Sequence, residues 1–159
     1  WTCPHCHDYT IPRDEGALGH SFRSDGKCSR CTARKIKITS ENIDTYSAYI
    51  TFDLYNFTID KKGNIKSTNT EVDSTAEFIM EVKRAGITVE FEYEVQSSNY
   101  WNYAQIYDSI GGYSYEIREA GNHSREFYSR GRIEFAFAIG SGTETGDYAT
   151  VKNIYLIIP

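Results

Sequence analysis

Along most of the chain, apolar and polar residues alternate with a period of two. The clearest run is 87–95. Ile87, Val89, Phe91, Tyr93 and Val95 fall on one side, and Thr88, Glu90, Glu92 and Glu94 on the other. Successive side chains of a strand point to opposite faces, so this run predicts a strand with one buried and one solvated face. The same period recurs at Ile36 and Ile38, at Ile50, Phe52 and Leu54 with a phase slip to Phe57 and Ile59, and at Phe78, Met80 and Val82. Further strands are predicted over 105–108, 113–117, 133–139 and 148–158. Lys61-Lys62-Gly63-Asn64 reads as a hairpin turn, and Ala85-Gly86 and Gly121-Asn122-His123-Ser124 as two more. No segment carries a helical period. Many short strands with turn signals between them predict an all-β fold, a jelly-roll-type antiparallel β-sandwich over 36–159.

Before residue 36 the alternation gives way to a cysteine pattern: Cys3-Pro4-His5-Cys6, a spacer of 21 residues, then Cys28-Ser29-Arg30-Cys31. A tetrahedral zinc ion takes four thiolates from two such C-x2-C turns, so 1–35 is expected to be a small zinc ribbon held by Cys3, Cys6, Cys28 and Cys31. Four thiolates leave no position for water, which makes the metal structural. The spacer is too poor in apolar residues to build a core, so the unit needs its metal to fold. Two disulfides are the alternative in an extracellular setting, and a redox pair is a weaker one, because no βαβ pattern follows. His5, His7 and His20 lie in the same segment, and one of them replacing a cysteine ligand stays open. The link 32–35 is too short to be flexible, so ribbon and sandwich are expected to touch.

Charge sharpens the division. Residues 1–35 carry six Lys/Arg and four Asp/Glu, and 36–159 carry eleven and eighteen, so a body of −7 follows a segment of +2. An acidic body speaks against nucleic acid as a partner. No apolar run is long enough to span a membrane, so no membrane insertion is expected. Residue 1 is Trp, and the chain reads as part of a larger protein whose other domains are expected partners.

Aromatic residues make up 14% of the chain, and six of them crowd into one stretch: Tyr100, Trp101, Tyr103, Tyr107, Tyr113 and Tyr115. Flat exposed rings stack on the C–H faces of sugars, and neighbouring amides and carboxylates bond the hydroxyls. Tyr100, Trp101, Asn102, Tyr103, Gln105 and Asp108 therefore form a candidate carbohydrate site. The alternative is that these rings fill the core. Glu90, Glu92 and Glu94 stand about 7 Å apart in sequence, a spacing that invites a glycosidase reading, but an ordinary solvated face explains them as well. The stretch 140–146 has neither the spacing nor the lysine of a phosphate loop. His123 has no nucleophile motif to serve. Asn56-Phe57-Thr58 and Asn122-His123-Ser124 are formal glycosylation sequons.

Several segments carry a resemblance. The strand 87–95 leads into Ser97-Ser98-Asn99-Tyr100 and Asn102-Tyr103-Ala104-Gln105-Ile106-Tyr107. Later come Gly131-Arg132-Ile133-Glu134-Phe135-Ala136-Phe137, Gly142-Thr143-Glu144-Thr145-Gly146-Asp147-Tyr148-Ala149 and Val151-Lys152-Asn153-Ile154. Over roughly 45–158 the chain resembles bacterial cell-surface jelly-roll modules of the concanavalin-like and MAM-like kind. Gly19-His20-Ser21-Phe22 and 25–31 are similar to short Cys/His repeats of Firmicutes surface proteins. The resemblance implies an extracellular or cell-surface location and a glycan or other surface ligand. It also implies calcium as a second ion, with Asp147 and Asp108 as candidates. Asn99 and Lys152 stand where acidic residues are common in such modules, and one or two carboxylates fall short of the oxygens calcium takes. Three functions follow as expectations: a non-catalytic binding module, a structural spacer of a multi-domain adhesin, and, last, a glycan-active enzyme.

Overall fold

The structure is a computed structural model and describes residues 20–140 and 146–159. Among them are eleven strands: β1 (Arg34–Lys37), β2 (Ile50–Tyr55), β3 (Phe57–Ile59), β4 (Ile65–Ser67), β5 (Ser74–Val82), β6 (Ile87–Gln96), β7 (Tyr103–Asp108), β8 (Tyr113–Ile117), β9 (Gly121–Phe127), β10 (Gly131–Ile139) and β11 (Tyr148–Ile158). They form two antiparallel sheets. One has the order β3-β4-β11-β6-β9, with β1 also on β11; the other has the order β2-β5-β10-β7-β8. The predicted sandwich is therefore the observed fold.

Period two decides what lies between the sheets. From the five-stranded sheet Phe78, Met80, Ile106, Ile133, Phe135 and Phe137 point inward; from the other come Ile87, Val89, Phe91, Val151, Ile154 and Leu156. The long strand β11 would lose this register without a correction. Lys152 pairs with Glu92 and Tyr155 with Glu90, so β11 spends one extra residue there, and Asn153 takes φ 52°. This β-bulge moves the inward positions from the odd residues Ala149 and Val151 to the even ones Ile154 and Leu156.

The predicted turn at 61–64 is present. Asp60 Oδ1 accepts the N–H groups of Lys62 and Asn64 at 2.8 and 2.9 Å. Gly63 has φ 82°, and a Cβ there would run into the Ile38 carbonyl oxygen. The expected turn at 121–124 is absent: those residues begin β9, paired with β6 from Ile87↔Phe127 to Tyr93↔Gly121. Two inward positions of β9 are His123 and Arg125, which hides the apolar alternation. Strand β4 is short and was also not predicted.

The first and last strands of the sandwich are paired with each other. β1 pairs Arg34 with Ile158 and Lys37 with Tyr155. This strand runs across the boundary expected at 35/36. Among the described residues no helix is long and apolar enough to cross a membrane.

Candidate aromatic face and metal group

The outer surface of the five-stranded sheet carries most of the predicted ligand residues. On β7 the inward positions Ala104, Ile106 and Asp108 are buried, which turns Tyr103, Gln105 and Tyr107 outward. Trp101 stands one step before this row and is 58% exposed. Beside it runs β10, with Ala138 opposite Tyr103, Ala136 opposite Gln105 and Glu134 opposite Tyr107. The next outward-side position is Gly140, where a Cβ would lie 2.7 Å from the Trp101 carbonyl oxygen. Trp101 thus covers Gly140, and aromatic side chains rise along one edge of a floor made of Ala136 and Ala138. Trp101 to Tyr107 covers about 20 Å at about 3.3 Å per residue. On the far side Tyr55, 63% exposed, continues the Gln105–Ala136–Glu77 row across β5 and β2.

The rings are held in place. Tyr100 meets Trp101 edge to face with centroids 5.6 Å apart. The Arg118 guanidinium lies 4.3 Å from the Tyr100 centroid and 5.6 Å from that of Tyr103. Its Nε also bonds Glu116 at 2.6 Å. A cation over a ring face is attracted by the ring quadrupole and orients both partners. Arg118, Glu116 and the alanine floor were not singled out in the sequence. The alternation of small and large residues along 133–139 was the available signal for the floor.

Two residues of the predicted site point the other way. Asn102 is fully buried: its amide nitrogen donates to Asp147 at 2.7 Å, and its oxygen accepts the Gly140 N–H at 2.9 Å. It fixes the loop that seats Trp101 and offers nothing to a ligand. Asp108, 2% exposed, accepts the N–H groups of Ile110 and Gly111 at 2.8 and 3.2 Å and pairs with Arg125. The reason for both departures is parity, since even positions of this stretch face the core.

Asp147, the first calcium candidate, is likewise engaged. It accepts the Ser98 N–H at 2.9 Å, the Ser98 hydroxyl at 2.8 Å and the Asn102 amide. Burial works against its charge, yet the Asn102 and Ser98 donors hold its carboxyl below the usual range. Donors aimed at both carboxylates occupy the lone pairs a cation needs. The stretch 142–145 of the closing loop lies outside the described residues.

The outer face of the other sheet carries the glutamate stripe, and each member has a cationic or amide partner. Lys35 Nζ lies 2.6 Å from Glu90, Asn153 Nδ2 3.0 Å from Glu92, and Lys152 Nζ 3.2 Å from Glu94. His123 lies inside, stacked on Phe91 at 5.0 Å, with Nδ1 2.9 Å from the Tyr115 hydroxyl and Nε2 3.6 Å from Asp108. Burial lowers its pKa from the ordinary value, Asp108 pulls it back up, and Arg125 lowers it. Together Tyr115, His123, Arg125 and Asp108 tie β8 and β7 to β9 across the gap between the sheets.

The second candidate site is a metal group. The ligand atoms of His20, Cys28 and Cys31 lie within 4.8 Å of one another. Cys28 is buried and Cys31 half-buried, and neither forms a disulfide among the described residues. Arg30 donates its N–H to Cys28 Sγ at 3.4 Å, as a tight knuckle requires. Burial pushes the Cys28 thiol up, but the Arg30 N–H together with His20, Cys31 and Ser21 brings it down to about 6. The knuckle sits on the sandwich: Cys28 and Ala33 pack against Ile157 of β11, Cys28 N–H donates to the Ala33 carbonyl at 2.8 Å, and Lys35 N–H donates to Gly26 at 2.7 Å. Cys3, Cys6, His5 and His7 lie outside the described residues.

No protein-family profile and no curated protein matches the chain. Among solved structures it is similar to the secreted serine protease VesC from Vibrio cholerae, with a TM-score of 0.56 and 14% identity over 76% of this chain and 28% of that one. That likeness is one of fold, and the chain spans little more than a quarter of the protease. A family 61 carbohydrate-binding module in complex with beta-1,4-galactotriose gives 0.39 at 15% identity, covering 80% of this chain and 82% of that one. A family 29 carbohydrate-binding module gives 0.40 at 12% identity, covering 79% and 88%. At scores this low neither likeness bears on function.

Proposed function

We propose that this chain is a non-catalytic binding module of a bacterial surface or secreted protein, taking carbohydrate on the outer face of the five-stranded sheet and carrying a structural zinc ion at its N-terminal knuckle. The observation that carries this reading is the row Trp101, Tyr103, Gln105 and Tyr107 beside the floor Ala136 and Ala138. A sugar ring laid on that floor can bury its C–H face against aromatic carbon while its hydroxyls meet Gln105 and the rim pairs Arg132–Glu134 and Arg118–Glu116. A shallow polar–aromatic strip fits an extended saccharide better than a compact metabolite, which prefers a deep apolar pocket. The engaged glutamate stripe supports the non-catalytic side of the reading, because a glycosidase needs one carboxyl free to donate a proton and another to attack or to activate water.

A spacer joining domains in line would take its chain in at one end and release it at the other. Arg34 is paired with Ile158, so the first and last strands of the sandwich lie side by side; a spacer reading is tested by the same array that tests the carbohydrate reading, where it predicts no binding. The test is a glycan array with the intact chain, followed by calorimetric titration of the best oligosaccharide. Tyr103→Ala should lower affinity by about tenfold, or about 1.4 kcal/mol, with an unchanged melting temperature. An array with no binding to any saccharide would remove the carbohydrate reading.

A further inference from the structure

We propose that the saccharide taken by the aromatic row is an acidic one, and that its carboxylate or sulfate group sits in a cationic groove at the end of that row. The inference rests on the carbohydrate reading above and adds the charge of the ligand to it. Its first support is position. Tyr107 ends the row and also lines a groove of about 660 Å³. In this sheet β10 lies between β7 and β5, so the groove crosses the start of β10, from Tyr107 on one side to Glu81 and Lys83 on the other. A saccharide laid along Trp101, Tyr103 and Tyr107 meets this groove next.

The second support is charge. Residues 36–159 carry a net charge of −7, yet the groove gathers Lys83, Arg130 and Arg132 against one lining carboxylate, Glu81. Arg132 is engaged: its Nε lies 2.7 Å from Glu134, and it stands opposite Glu81 in the register. Lys83 and Arg130 are not. Lys83 Nζ donates to the Ser47 carbonyl at 3.1 Å, and neither side chain meets a carboxylate among the described residues. On the other sheet Lys35 and Lys152 each hold a glutamate. Cations without a counter-charge attract an anionic ligand and orient its oxygens, and a guanidinium fork matches the geometry of a carboxylate.

The third support is that main chain sets the walls of the groove. Ser109 N–H donates to the Arg132 carbonyl at 3.0 Å, and the Ser109 hydroxyl oxygen accepts the Arg132 N–H at 2.8 Å. A Cβ on Gly131 would stand 2.6 Å from that hydroxyl, so glycine is what lets the turn before β10 approach the turn after β7. Across the groove, Lys83 N–H donates to the Tyr49 carbonyl at 2.8 Å. A groove built before its ligand arrives loses little freedom on binding.

The experiment is an array of paired oligosaccharides probed with the intact chain, followed by calorimetric titration of the pair that binds best. Hexagalacturonate and hexamannuronate are printed beside their methyl esters, and sulfated galactan oligosaccharides beside their desulfated forms. Cellohexaose and galactohexaose serve as neutral probes. The charged member of a pair should bind about fivefold more tightly than its uncharged counterpart. That preference should shrink between about 0.05 and about 0.5 M salt. Whether the uronate or the sulfated pair responds separates a carboxylate ligand from a sulfate. Lys83→Ala/Arg130→Ala should bring the charged member down to the affinity of the uncharged one, with a nearly unchanged melting temperature. Equal or tighter binding of the uncharged members would overturn the inference and leave the carbohydrate reading intact. A preference for charge that survives in the double variant would overturn the groove as its source. Binding to no saccharide would overturn both readings.

Discussion

The two outer faces of this sandwich are built by the same rule and used differently. On the six-stranded sheet the outward residues of β6 include three glutamates, each met by Lys35, Asn153 or Lys152 from β1 and β11. On the five-stranded sheet the outward residues of β7 are aromatic or amide, and the strand beside them carries alanine and glycine. The first face satisfies its own polar groups. The second pairs its charges as well, Arg118 with Glu116 and Arg132 with Glu134, but adds the exposed rings of Tyr100 and Trp101 beside Ala136 and Ala138. Exposed apolar surface of that kind is a feature to be explained, whereas a paired charged surface is the ordinary state of a soluble sheet. The proposed ligand site rests on this difference, which can be attacked from several directions.

The largest effect is expected beneath the aromatic face. Asn102→Ala leaves the Asp147 carboxylate and the Gly140 N–H short of a buried partner, and should cost about 2–4 kcal/mol of stability by denaturant unfolding. A change below about 0.5 kcal/mol would mean that the loop seat does not depend on Asn102. Next comes the face itself. Trp101→Ala should reduce oligosaccharide affinity about 30-fold, or about 2 kcal/mol, and leave stability nearly untouched. Loss of stability without loss of binding would return Trp101 to a packing role.

An intermediate effect depends on pH. Unfolded, His123 titrates near 6.5; folded, burial holds its pKa lower. Between those values the unfolded chain binds more protons, so stability falls as pH drops through about 6.5 towards the folded value. His123→Phe should flatten that slope between pH 7 and 5 in melting experiments, and an unchanged slope would assign it elsewhere. The smallest effect belongs to the paired face. Lys35→Ala should cost about 0.2–1 kcal/mol and matter less at high salt, since the pair is partly exposed.

Period two made most of this legible from the residues. The strand 87–95 and its buried and solvated sides follow from alternation alone, and so do the strands 113–117 and 148–158. The bulge at Lys152–Tyr155 was not legible, because a one-residue slip leaves two valid alternations that meet without a turn signal. β9 was missed for a related reason. His123 and Arg125 occupy inward positions that a pattern reading reserves for apolar side chains, and a Gly-Asn start looks like a turn. At the candidate site the rings Tyr100, Trp101 and Tyr103 and the amide Gln105 were picked out by residue type. Asn102 and Asp108 were chosen on the same ground, and the parity of β7 sends them inward. For the metal, spacing singled out Cys28 and Cys31, whereas the nearness of His20 depends on a backbone bridge that no spacing encodes.

The most direct test of the central claim is one titration series of soluble oligosaccharides against three forms of the intact chain. These are the unaltered protein, Trp101→Ala/Tyr103→Ala, and Glu90→Gln/Glu92→Gln/Glu94→Gln. The account predicts binding by the unaltered chain, loss in the aromatic variant and full retention in the glutamine variant. Loss in the glutamine variant with retention in the aromatic one would contradict it and move the site to the opposite sheet.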